Sequence, residues 1–224
     1  MKRMQERRRS MKEKMNKIPV FYACDDNFVK YTMVSLQSMM DHASKEAQYE
    51  IHVLYTNISE EMQKKMHAME NANFSVQFDH VTEYLHSIQE KLPLRDYYSK
   101  TTYFRLFIAE MFPEIDKAIY IDSDTVVLGD IAQLYAYDLG DAYVGACREQ
   151  VMIQEEVYGT YVEKVLGVER DNYFNAGMLV INCEQFRKNH VLEQFMELLP
   201  MYNFVVTQDE DYPVSYTHLT LPTT

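Results

Sequence analysis

Tryptophan is absent from the 224 residues, and cysteine occurs only at Cys24, Cys147 and Cys183. Three scattered thiols cannot build a disulfide framework, which excludes small cross-linked secreted scaffolds and fits a reducing, cytoplasmic setting. No long apolar run occurs, so nothing is expected to span a membrane. The N-terminus is charged, but no apolar stretch of the kind a secretory leader carries follows it. Positive charge is also scarce: 22 Lys and Arg against 34 Asp and Glu give a formal net charge of −12. So acidic a chain repels nucleic-acid phosphates, which argues against DNA or RNA as a partner. It can still hold a diphosphate if a divalent cation sits between its carboxylates and the phosphates.

What is present suffices for one α/β domain with a sizeable core: 47% of residues are hydrophobic and 25% charged. The 15 Met and 18 Tyr are expected to fill core and surface in place of tryptophan. Residues 1–17 are basic and almost without core-forming aliphatics. They read as a disordered extension, with peripheral contact to anionic lipid at the inner membrane face as the functional alternative. Residues 212–224 (YPVSYTHLTLPTT) contain no Asp, Glu, Lys or Arg and keep no period. That stretch is expected to be foreign read-through joined to an interrupted gene.

Between these ends, strand and helix patterns alternate. Ile18–Cys24, Glu50–Tyr55, Phe74–Val81, Lys117–Asp122, Ala142–Cys147 and Phe174–Asn182 read as strands. Helices are expected over Phe28–His42, from an N-cap at Ser59, and over Thr82–Leu92, Ser99–Phe112 and Glu184–Leu199. This order predicts a Rossmann-like, mostly parallel sheet with helices on both faces.

Ligands of open α/β sheets bind beyond the carboxyl ends of the strands, where this chain places two acidic clusters. Asp25-Asp26-Asn27 follows the first strand, and Asp122-Ser123-Asp124 follows the KAIYI strand. On an extended backbone the carboxylates of Asp122 and Asp124 would point to one side and suit a hard cation, Mn²⁺ or Mg²⁺. Such an ion can bridge a nucleotide diphosphate and stabilise the leaving group as a glycosidic bond breaks. The structural alternative is a pair of acidic residues that cap a helix or meet water, and Asp26 or Asn27 is expected to cap the Phe28 helix.

Four ordered blocks, YACDDNF (22–28), TTYFRLFIAEMFPEIDKAIYIDSDTVVLGDIAQLY (101–135), YVGAC (143–147) and YFNAGMLVIN (173–182), resemble glycosyltransferase family 8. That family includes bacterial lipopolysaccharide galactosyl- and glucosyltransferases and glycogenin. The resemblance runs over residues 18–211 and implies a GT-A fold, a UDP-sugar donor, Mn²⁺, and hexose transfer with retention to a saccharide or lipid-linked acceptor. By it, Ala23, Asp25 and Asn27 line the uracil and ribose, Ser123 lies near the ribose, and Thr102 and Arg105 belong to the donor site. Asp122 and Asp124 bind the metal, while Asn175 and Gly177 approach the transferred sugar. Asp209 matches the donor-sugar aspartate, and Glu210 stands where the family usually carries Gln, a position suited to a nucleophile. Glu149 lies where acceptor specificity varies. The family's third metal ligand, a His, belongs to a later segment that would lie past residue 211, so the catalytic domain is expected to be incomplete. A truncated, inactive nucleotide-binding fragment is therefore the alternative. A second is a haloacid-dehalogenase-type phosphohydrolase, because IDSDTVV also resembles its Asp-x-Asp-x-Thr-Val motif.

Overall fold

The apolar run Lys17–Ala23 forms strand β1, buried from Ile18 onward. The computed structural model describes residues 17–88, 101–198 and 218–220. Strands β2 (Gln48–Tyr55), β3 (Phe74–His80) and β4 (Lys117–Ile121) extend β1 on its two sides, all in parallel. Strands β5 (Val144–Arg148) and β6 (Phe174–Asn182) complete the central sheet, and a short β7 (His218–Thr220) pairs with β5. The order is β3-β2-β1-β4-β6-β5-β7.

Four of these six pairings are parallel; β6 runs antiparallel to both of its neighbours, β4 and β5. The direction of β6 decides where its ends fall. Ile121, the last residue of β4, pairs with Met178, so the N-terminal half of β6 lies beside the carboxyl end of β4.

Period-two alternation explains why the central strands read as continuous apolar runs. Val20, Tyr22, Ile119 and Ile121 pack on one face with Leu36 and Met39 of helix α1 (Val29–His42) and Met66 of helix α2 (Glu60–His67). Phe21, Ala118 and Tyr120 point to the other face, against Phe104, Phe107, Phe186 and Phe195. Each Val, Ile or Phe fully buried in this way contributes about 1.5–3 kcal/mol. Helix α3 (Val81–Ile88) follows β3 directly, so Val81 starts a helix rather than ending the strand.

Two segments expected as single helices are broken. Over the Ser99–Phe112 stretch, Thr101–Leu106 is a 3₁₀ turn and Ile108–Met111 a short helix, α4. Every residue from Tyr103 to Ala109 is buried, so this segment is enclosed on all sides and presents no solvent face of an amphipathic helix. The Glu184–Leu199 stretch divides into α8 (Cys183–Lys188) and α9 (Val191–Leu198). His190 separates them in a left-handed conformation, φ 52°, which an α-helix cannot contain. Between β4 and β6 lie α5 (Ile131–Tyr135), α6 (Gln150–Gln154) and α7 (Glu156–Tyr161). Among the described residues, no helix is long and apolar enough to cross a membrane.

Candidate functional site

A cleft of about 260 Å³ opens where β1 and β4 end, lined by Ala23, Cys24, Asp25, Phe28, Arg105, Tyr120, Asp122, Ser123 and Asp124. Both acidic clusters reach it.

The loop after β1 is built by its own carboxylates. Oδ1 of Asp25 accepts hydrogen bonds from the backbone N–H groups of Asn27 (2.9 Å) and Phe28 (3.0 Å). Asp25 therefore shapes the turn that leads into α1, whose N-cap position is Phe28 with no side-chain capping bond, so neither Asp26 nor Asn27 caps it. Asp26 turns to the neighbouring helix: its Oδ1 accepts from the backbone N–H of Ser59 at 2.9 Å and from the Ser59 hydroxyl at 2.8 Å. Those bonds hold the Asp26 carboxyl below its ordinary range. Ser59 occupies the N-cap position of α2, but its hydroxyl makes no capping bond to that helix. Asn27 is exposed. Phe28 is 49% exposed and lies on the cleft wall; Val29 takes the buried position that helical spacing assigned to Phe28.

A ladder of hydroxyls joins α1 to the loop after β4. Thr32 donates to Ser123 Oγ at 2.9 Å, and Ser123 donates to the Ala23 carbonyl at 3.2 Å. Ser35 bridges the Tyr22 hydroxyl and Thr125, both at 3.0 Å, and Thr125 donates to the Asp122 carbonyl at 2.9 Å. Thr32, Ser35 and Ser123 are buried. Polar side chains on the inner face of α1 thus fix the backbone on both sides of the cleft. Burial pushes the neighbouring Cys24 thiol up to about 11, so it is a neutral wall of the site.

Asp122 and Asp124 both line the cleft, but not on extended backbone. The strand stops at Ile121, and Ser123-Asp124 forms a turn. Arg105 is buried: it donates to the Ala176 carbonyl of β6 and, at 3.0 Å, to Oδ1 of Asp122, with its guanidinium 4.4 Å from the centre of the Tyr120 ring. The Tyr120 hydroxyl donates to the same Asp122 oxygen at 2.8 Å. Oδ1 thus faces protein donors, while Oδ2 lies against Gly177. A Cβ on Gly177 would stand 2.7 Å from Asp122 Oδ2 and 2.9 Å from Asn175 Oδ1. A side chain there would displace Asp122 or Asn175, because their oxygens converge on the place a Cβ would take. Asp124 is exposed.

Asn175 donates through Nδ2 to Glu149 Oε2 at 2.8 Å and accepts from the Gly177 N–H at 2.8 Å. The structure thus brings Ala23, Asp25, Arg105, Asp122, Ser123, Asp124, Asn175 and Gly177 to one end of the sheet. Thr102 lies in the 3₁₀ turn, but its side chain, like all of Asp209 and Glu210, falls outside the described residues. Among the described residues no cluster of three His, Cys, Asp or Glu side chains could hold a metal ion. Sequence reasoning missed Phe28, Cys24 and Tyr120 as cleft residues; the apolar spacing of Phe28 pointed it inward instead.

Residues 19–215 match the sequence profile of glycosyl transferase family 8. A protein of Haemophilus influenzae (strain ATCC 51907 / DSM 11121 / KW20 / Rd), named as a glycosyltransferase, is 29% identical over 195 residues, covering 86% of this chain and 57% of that protein. The bifunctional glycosyltransferase WbbM superposes with a TM-score of 0.79 at 28% identity, over 92% of this chain and 39% of WbbM. The galactosyltransferase LgtC, solved with donor and acceptor sugar analogs, gives 0.71 at 26% identity, over 88% of this chain and 70% of LgtC. The chain spans little more than half the length of its Haemophilus relative. The sheet order, the cleft at its carboxyl end and the profile match lead to one statement: the chain belongs to glycosyl transferase family 8, with its GT-A fold.

Proposed function

We propose that this chain carries the donor site of a metal-assisted, retaining hexosyltransferase that moves a sugar from a UDP-sugar to a saccharide or lipid-linked acceptor. The observation that carries the reading is the convergence of Asp25, the Asp122–Asp124 turn and the Asn175–Gly177 segment at one end of the sheet. In this reading the exposed Phe28 ring offers a stacking face for the base, Ala23, Asp25 and Ser123 border the nucleoside, and Asn27, outside the cleft lining, joins them through the family resemblance. Thr102, Asp209 and Glu210 join the donor site through the family resemblance.

The two carboxylates fit a hard divalent cation, Mn²⁺ or Mg²⁺. Both are oxygen donors on the cleft, and the Arg105 and Tyr120 bonds leave Asp122 Oδ2 for a ligand. When bound, the ion supplies charge stabilisation for the departing diphosphate. The protein's own part is orientation: Arg105 and Tyr120 fix Asp122, and the hydroxyl ladder fixes the turn that carries Asp124. Family membership favours this reading over a phosphohydrolase. Contact of the basic segment 1–17 with an anionic membrane surface at the cytoplasmic face belongs to the same proposal; all of it but Lys17 lies outside the described residues.

The test is calorimetric titration of UDP with and without Mn²⁺, on the wild-type chain and on Asp124→Asn. UDP affinity should rise with Mn²⁺ in the wild type and lose that dependence in the variant. Equal affinity with and without the metal in the wild type would sink the metal reading. Binding of UDP without measurable sugar transfer would identify this chain as a nucleotide-binding fragment.

A further inference from the structure

Glu149 sits between two donors. Its Oε1 accepts from the Val151 N–H at 3.0 Å, closing the start of α6, and its Oε2 accepts from Asn175 Nδ2 at 2.8 Å. Its own N–H donates to the Tyr173 carbonyl at 3.1 Å, which ties its backbone to the residues entering β6. A carboxylate, which only accepts, satisfies both neighbours; an amide could satisfy one.

The Asn175 carboxamide is held at both ends. The Gly177 N–H requires an acceptor and holds Oδ1. Glu149 requires a donor and holds Nδ2. Without Glu149, Nδ2 loses this acceptor and the carboxamide is held by the Gly177 N–H alone. With Glu149 present, both ends of the amide are fixed, the nitrogen by Glu149 and the oxygen by Gly177.

We propose that Glu149 is a positioning residue: it fixes the orientation of the Asn175 amide, so that its oxygen stands as an acceptor for a hydroxyl of the transferred sugar. The inference rests on the donor-site reading above. It assigns Glu149 a role through Asn175 rather than a contact with the nucleotide.

The experiment compares calorimetric affinities for UDP and for UDP-glucose or UDP-galactose, all with Mn²⁺, so that the sugar's increment is read apart from the nucleotide's. The main variant is Glu149→Ser, because serine still caps the Val151 N–H but is too short to reach Asn175. Glu149→Gln is the second variant, and thermal melting confirms that each is folded. Glu149→Ser should lose about tenfold of the sugar increment, the scale of one hydrogen bond, and Glu149→Gln, whose amide oxygen can still accept from Asn175, should lose less, with UDP affinity unchanged in both. In an Asn175→Ala background, Glu149→Ser should cost nothing further, since the residue acts through Asn175. An unchanged increment in both single variants, or an equal loss in the Asn175→Ala background, overturns the proposal. A wild-type chain that binds UDP but gains nothing from the sugar also overturns it, while leaving the nucleotide site standing. A wild-type chain that binds neither removes the donor-site reading, and this inference with it.

Discussion

Arg105 donates to Asp122 Oδ1 at 3.0 Å from a nearly sealed position, its own side chain 4% exposed and that of Asp122 36%. From there the guanidinium sets the orientation of a carboxylate that lines the same cleft. Replacing it with Met should leave Asp122 Oδ1 with Tyr120 alone and strip the Ala176 carbonyl of a donor. Water reaches Asp122 and offsets part of the loss, so about 1–3 kcal/mol of stability should go. Urea denaturation measures it. Arg105→Lys should recover only part, because an ammonium cannot span both acceptors as the planar fork does.

Gly177→Ala tests the convergence point. The added methyl would meet the ends of two side chains, not backbone, so the fold should survive while Asp122 and Asn175 are displaced. Nucleotide-sugar affinity should fall at least about tenfold, or ~1.4 kcal/mol, with little change in melting temperature. Gly129→Ala, where nothing lies within 4 Å, is the control.

Thr32→Val keeps shape and removes the hydroxyl that donates to Ser123. Loss of one buried hydrogen bond should cost about 1 kcal/mol, a melting shift of roughly 2–4 °C for a chain of this size. If the ladder positions the Asp122–Asp124 turn, UDP affinity should weaken too; an unchanged affinity would confine the ladder to stability.

Much of this arrangement was legible in the sequence. The apolar runs marked β1, β4 and β6 because strands buried on both faces leave no polar alternation. The acidic clusters stood out because they follow those runs directly. The direction of β6 was not legible, since an apolar strand reads the same either way. The breaks at Leu106–Phe107 and at His190 were hidden because they answer to enclosure and backbone conformation, not to helical spacing. The contacts of Arg105 with Ala176 and of Asn175 with Glu149 join residues distant in the chain, which no local pattern records.

Asp26 supplies a pH signature. Its carboxyl is held below its ordinary value of 3.8 by two bonds from Ser59. A depressed folded-state value contributes stability above the unfolded value and loses it as pH falls through the folded one. The melting difference between wild type and Asp26→Asn should therefore be constant from neutrality to about pH 5 and shrink below pH 4. The group is exposed, so the difference should also diminish in high salt. A difference that grows on acidification would contradict the assignment.

The reversed course of β6 has a consequence for tolerance to change. Its pairing with β4 sets Met178 opposite Ile121 and so delivers Gly177, the residue without a side chain, to the spot where two oxygens crowd. A slip of a single residue would bring Ala176 or Met178 there and turn the strand's apolar set to the wrong face. Insertions within 174–182 should thus be more damaging than equal insertions in the loops around it. The alignment of one strand against its neighbour thus decides which residue stands between Asp122 and Asn175.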